Sequence, residues 1–173
     1  MMVARKRDFR QLLVMTALFL AALLAAGFDE PSVRLEPTDS VGPRTLEKQT
    51  ETAVIRDYMH AWQTMSTALD SNRADLLDAD FVGNAQEKLA DTVSQQQKAG
   101  IHTRYSDRSH DLKLVFYSPE GLSIQLVDTV EYDVQLFDHD TLKGTTRVRA
   151  HYVAVLTPTE VRWKVRIFEA QPE

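Results

Sequence analysis

The stretch IQLVDTVEYDVQL, residues 124–136, alternates its side chains with a period of two. Ile124, Leu126, Val130, Tyr132, Val134 and Leu136 fall on one face, as in a β-strand with one buried side. Asp128 is the only polar residue on that face. Upstream, Leu112, Leu114 and Phe116 share a face. Pro119, Glu120 and Gly121 suit a three-residue hairpin loop that ends with glycine in a left-handed conformation, which pairs Phe116 with Ile124. Downstream, a turn at Thr157–Glu160 pairs Leu156 with Val161, Ala154 with Trp163, Tyr152 with Val165 and Ala150 with Ile167. The reverse face then carries Arg147, Arg149, His151, Arg162, Lys164 and Arg166, with Glu131 and Asp133 on the neighbouring strand. A loop at Asp138–Gly144 sets Arg149 against Asp133 and His151 against Glu131, so cross-strand charge pairing accounts for the stripe. From His110 onward the chain reads as an antiparallel meander.

Before His110 the period is helical. Leu46, Ala53, Val54, Tyr58, Ala61, Trp62, Met65, Ala68 and Leu69 recur at spacings of three and four, giving a long helix that Thr45 can cap. Leu76 and Leu77 fit a short helix after Ser71 and Asn72. Asn84 with Glu87 fits a capping box opening a third helix, which carries Ala85, Leu89 and Val93 and is stopped by Gly100. Helices followed by a meander with one oily face predict an α+β fold: N-terminal helices packed on a strongly curved, cone-like antiparallel sheet.

The 173 residues are 43% hydrophobic and 26% charged, an ordinary globular mixture rather than a disordered one. The absence of cysteine excludes disulfides, thiolate metal sites and thiol catalysis. Residues 1–28 differ from the rest. Arg5, Lys6, Arg7 and Arg10 precede a largely apolar run from Leu12 to Phe28, which reads as a membrane-targeting helix, either a transmembrane anchor or a cleaved signal segment. The basic flank predicts a single-pass inner-membrane protein with its C-terminal domain extracytoplasmic, or a periplasmic or secreted one if the segment is cleaved. Pro31, Pro37, Gly42 and Pro43 mark residues 29–44 as a linker, so the domain spans 45–170. Without residues 1–28 the chain carries 16 basic and 24 acidic residues, a balance that disfavours nucleic acid as a partner.

With helices first and a meander after, the chain resembles the nuclear transport factor 2-like (cystatin-like) superfamily. More narrowly, AVIRDYMHAW (53–62), GIHTRY (100–105), DTVEY (128–132), YVAV (152–155) and WKV (163–165) resemble the intermembrane-space domain of plastid-division membrane proteins and their bacterial relatives. The resemblance implies a cone with an internal pocket. Ketosteroid isomerases and polyketide cyclases of this superfamily place an Asp base and Tyr or acid donors there, which makes Asp128, with Tyr58, Tyr132 and His102, the position to test. The superfamily also supplies periplasmic components of secretion complexes.

The residues themselves show no reaction signature. His60 has no ligand partner at helical spacing, no HExxH occurs, and Asp138, His139 and Asp140 are ordinary turn residues, so neither a metal nor a cofactor is expected. No nucleophile elbow or phosphate-binding glycine loop is present. Asp128, Tyr58 and His102 are the candidates for catalysis, with Asp128 as the base. Trp62, Tyr132, Tyr152 and Trp163 are the candidates for lining a pocket that takes a small apolar ligand. The leading expectation is a non-enzymatic domain, tethered to or exported across the membrane, that binds an envelope protein or forms a homo-oligomer.

Overall fold

In the first helix the apolar positions Val54, Tyr58, Ala61, Trp62, Met65, Ala68 and Leu69 are buried along one stripe of α1 (Lys48–Ser71). Asn72 ends the helix in the left-handed region, φ 52°, a conformation that asparagine tolerates better than most residues. Its side-chain Nδ2 donates to the carbonyl of Ile101 at 2.8 Å, tying the end of α1 to the start of the sheet. A 3₁₀ helix, Ala74–Ala79, buries Leu77, and α2 (Gly83–Ala99) follows. Gly100 closes α2 at φ 69°, as the sequence predicts. The expected capping box is absent, because α2 starts two residues earlier, with Val82 rather than Asn84 at its cap and no side-chain capping bond. A computed structural model describes residues 30–36, 42 and 44–171.

The sheet consists of β1 (Ser32–Leu35), β2 (Ile101–Tyr117), β3 (Ile124–Asp138), β4 (Thr141–Pro158) and β5 (Trp163–Gln171), in that spatial order. The helices pack on its inner face, where Leu112, Leu114, Ile124, Leu126, Val130, Ala154, Leu156 and Val165 join the helix stripe in one core. Gly121 adopts φ 75° in the first hairpin, as expected, but a bulge between Leu114 and Phe116 moves the register, so that Tyr117 rather than Phe116 faces Ile124.

The architecture is α+β, and the structure corrects the sequence reading in three respects. The sheet is mixed, because β1, inside the expected linker, pairs parallel with β2. It is also open: the linear strand order leaves β1 and β5 as edges, and the sheet is not the strongly curved, cone-like one expected. Finally, the membrane-targeting helix, single-pass inner-membrane topology and periplasmic or secreted placement are withdrawn. Among the described residues no helix is long and apolar enough to cross a membrane. α1 has the length, but Lys48, Glu51, Arg56, Asp57 and Asp70 interrupt its surface and its apolar stripe is committed to the sheet. Residues 1–28, on which that expectation fell, lie outside the described residues.

The last two registers also differ. Val161, expected opposite Leu156, is 82% exposed in the turn. There Thr159 donates its backbone N–H to the Arg162 carbonyl and its Oγ1 donates to the same oxygen. The strand therefore starts at Trp163, with Leu156 facing Val165 and Tyr152 facing Ala170. A tighter β3–β4 hairpin sets Arg149 opposite Glu131, Arg147 opposite Asp133 and His151 opposite Thr129.

Candidate functional site

Asp128 is the polar interruption on the core face of β3, and the structure buries it completely. α1 brings Tyr58 over it, and the phenol donates to Asp128 Oδ2 at 2.8 Å. On the other side, His110 Nδ1 of β2 lies 2.7 Å from the same oxygen. A bulge in β2 between Asp107 and Ser109 creates the remaining contact. Asp107 and His110 are three residues apart and would point to opposite faces of a regular strand. The extra residue, Arg108, restores their parity, and Asp107 Oδ2 comes to 3.9 Å from His110 Nε2. The imidazole thus sits between two carboxylates with no exposed surface of its own.

Burial by itself lowers the pKa of His110, but the flanking Asp107 and Asp128 outweigh it and hold the imidazole above its ordinary value. Trp62 Nε1 also approaches His110 Nδ1, at 3.0 Å. One ring nitrogen cannot accept from the indole and donate to Asp128 at once. The charge-assisted bond to the carboxylate is shorter and the stronger type, so Nδ1–H donating to Asp128 is the better assignment. Burial, followed by the negative charge of Asp128, pushes the Tyr58 phenol well above its usual pKa. Asp128 Oδ1 and His110 Nε2 are buried without a hydrogen-bond partner.

Two of the three catalytic candidates therefore meet, Asp128 with Tyr58. The third, His102, sits elsewhere on β2: its Nδ1 lies 2.9 Å from Asp70 Oδ1 and its ring stacks on Phe137 at 4.7 Å. His110 occupies the place the sequence reading assigned to His102. Of the pocket candidates, Trp62, Tyr132 and Tyr152 converge. Trp62 meets Tyr152 edge-on at 5.3 Å and Tyr132 at 6.0 Å, and the two phenols are 3.3 Å apart. Trp163 does not join them. It lies edge-on to Tyr117 at 6.5 Å, and its backbone N–H donates to Asp57. The rings of Trp62, Tyr132, Tyr152 and Phe168 pack on one another, and Trp62 also lies edge-on to His110 at 5.4 Å.

A second buried acid escaped the sequence reading. Asp80, also fully buried, accepts from Thr64 Oγ1 at 2.6 Å and Arg162 Nη1 at 2.8 Å, with His60 Nδ1 at 2.8 Å. Burial alone raises its pKa, but these donors win and hold the carboxyl below its ordinary value. The signal missed was Arg162, which strict alternation had assigned to the solvent stripe. A shallow groove of about 490 Å3 lies beside it, lined by Ala79, Val82, Thr159, Glu160, Val161, Arg162 and Lys164. None of Asp128, Tyr58, His110 or Trp62 lines that groove. Among the described residues no cluster of three or more His, Asp or Glu is placed to hold a metal ion.

No protein-family model and no curated protein matches the chain. Solved structures do. The intermembrane space region of chloroplast protein ARC6 is 13% identical with a TM-score of 0.59, the match covering 75% of this chain and 100% of that one. A candidate scytalone dehydratase from Novosphingobium aromaticivorans is 14% identical with a TM-score of 0.52, over 72% of this chain and 87% of that one. At such identities the likeness is one of fold. Long helix, second helix and meander, in that order, give the chain the nuclear transport factor 2-like, or cystatin-like, fold.

Proposed function

We propose that this chain is a protein-binding domain without catalytic activity. The fold alone leaves binding modules and enzymes both open, since one relative is a region of a chloroplast protein and the other a candidate dehydratase. The observation that carries the reading is the state of Asp128. A base must reach its substrate, yet this carboxylate has no exposed surface and is held by Tyr58 and His110. The opposite face of the sheet, in contrast, presents half-buried apolar side chains, Val127, Val153, Val155 and Ile167, that belong to no described core.

Crosslinking followed by affinity capture of the full chain tests the reading. Recovery of a defined protein partner, or of a second copy, is the expected result; a monomer with no crosslinked partner would sink it.

The enzyme reading keeps one observation in its favour, the unpartnered Asp128 Oδ1 and His110 Nε2 beside the Tyr58 phenol. On that reading Asp128 is a base acting on a small apolar, enolisable ligand. Turnover of such a compound that disappears in Asp128→Asn, with the circular dichroism spectrum retained, would put it ahead of protein binding.

A further inference from the structure

The fold itself closes parts of the sheet's edges. On β5, the N–H of Val165 donates to the carbonyl of Asp80 and its own carbonyl accepts from the N–H of Val82, both at 2.9 Å. On β2, ahead of the residues that β1 covers, side chains of α1 reach two carbonyls: Asn72 Nδ2 donates to Ile101 and Ser66 Oγ to Tyr105. β4 is different. It pairs with β5 only from His151 to Pro158, and among the described residues nothing pairs with the outer edge of residues 141–150. That stretch therefore presents a row of open backbone N–H and C=O groups, the template for one more strand.

We propose that residues 141–150 of β4 take up, as an added strand, an extended segment of a partner protein in which acidic and apolar residues alternate. This rests on the protein-binding reading and names the place of contact and the chemistry of the partner. The alternation follows from the two faces of β4. On the outer face, Arg147 and Arg149 stand opposite Asp133 and Glu131 of β3, yet their side chains are 66% and 63% exposed. Asp133 is shared with Arg108, Arg147 gives it one N–H at 3.2 Å, and Arg149 stands 3.5 Å from Glu131. Each guanidinium therefore keeps N–H groups for a carboxylate on the next strand. On the inner face, Val148 and Ala150 face Tyr132 and Val130, pack against the core and are only half-buried. The oily layer stops at β4 there, so apolar side chains on an added strand would extend it. Opposite Arg147, Val148, Arg149 and Ala150 the fitting order is acid, apolar, acid, apolar. A second copy of this edge does not fit: residues 141–150 hold Lys143, Arg147 and Arg149 and no acid, so it offers the guanidinium groups no carboxylate.

The probe is a soluble peptide of alternating glutamate and valine, compared by fluorescence anisotropy on the full chain with a peptide of the same composition whose glutamates and valines stand in separate blocks. The alternating peptide is expected to bind more tightly than the blocked one and to slow amide hydrogen exchange across residues 141–150. Methylating the backbone nitrogens of its valines, or of its glutamates, is expected to abolish binding in one case and spare it in the other, because alternate N–H groups of a strand point toward and away from its neighbour. Arg147→Glu with Arg149→Glu, checked for folding by circular dichroism, should weaken the peptide by about ten-fold or more through the loss of two charge-assisted bonds. A peptide with lysine in place of glutamate should restore binding to that variant. A blocked peptide that binds equally well, unchanged exchange across residues 141–150, an equal response to both methylation patterns, or no rescue by lysine would each overturn the proposal. If crosslinking recovers a partner whose capture is untouched by Arg147→Glu with Arg149→Glu, the edge is refuted while the protein-binding reading stands; a chain that recovers no partner and binds no peptide ends both.

Discussion

Asp128 and Asp80 are both carboxylates with no exposed surface, yet they are neutralised differently. Asp80 lies at the edge of the core and is met by Arg162, whose charge is permanent and whose side chain is one third exposed, together with Thr64 and the half-exposed His60. Asp128 lies beneath the sheet and meets no permanent cation; its partners are a phenol and an imidazole that is itself fully buried. One acid is therefore secured by a strong base that stays partly in water. The other depends on an imidazole, a weaker base that its carboxylate neighbours hold above its ordinary pKa against the effect of burial. Burial alone thus does not make two sites alike; the titration range of the counter-charge separates them.

The comparison breaks most visibly at Asp80. Asp80→Ala leaves Arg162, Thr64 and His60 without their common acceptor and should cost about 3 kcal/mol in urea denaturation, toward the low end for a broken buried pair because Arg162 can rehydrate. A loss below that of an ordinary surface substitution would mean the cluster is ornamental. Asp128→Asn keeps the shape of the side chain and a carbonyl for the Tyr58 hydroxyl, and so should cost less, about 1–3 kcal/mol. Because one of its two flanking anions is then gone, the His110 pKa measured by NMR titration should fall. An unchanged value would show that Asp107, and not Asp128, sets it.

The third expectation separates the two acids by pH. The His110 pKa is raised on folding, so its contribution is complete below the ordinary value of 6.5 and is lost as pH rises through the folded value. The Asp80 pKa is depressed, so its contribution is complete above 3.8 and is lost as pH falls through the folded value. Stability should be greatest between these limits, with each flank worth about 1.4 kcal/mol for every pH unit separating folded and unfolded pKa values. His110→Gln should flatten the alkaline flank and leave the acid flank in place.

Much of this was legible in the sequence. The long first helix, the glycine stop after α2 and the core face of β3 follow from periodicity alone, because burial imposes a period that the residues must obey. Asp128 stood out for the same reason. What escaped were the features that break periodicity. The bulge at Arg108 hid the approach of Asp107 to His110 and left His102 as the apparent partner. The Thr159–Arg162 turn removed Val161 and Trp163 from the expected pairings, and it sent Arg162 inward to Asp80. A parallel strand inside a proline-marked segment, four residues long, carries too short a pattern to be seen. The counter-charges of both buried acids depend on such irregularities, which is why the acids could be noticed while their settings could not.

The bulge at Arg108 has one more consequence. Loss of that single codon would leave Asp107 two residues before His110, so a regular strand would keep both on the core face with every other residue in register. The deletion would instead strip Asp133 of the Arg108 guanidinium that bonds it. Length variation at this position would therefore retune the charges of the outer face while sparing the two anions beside the buried imidazole.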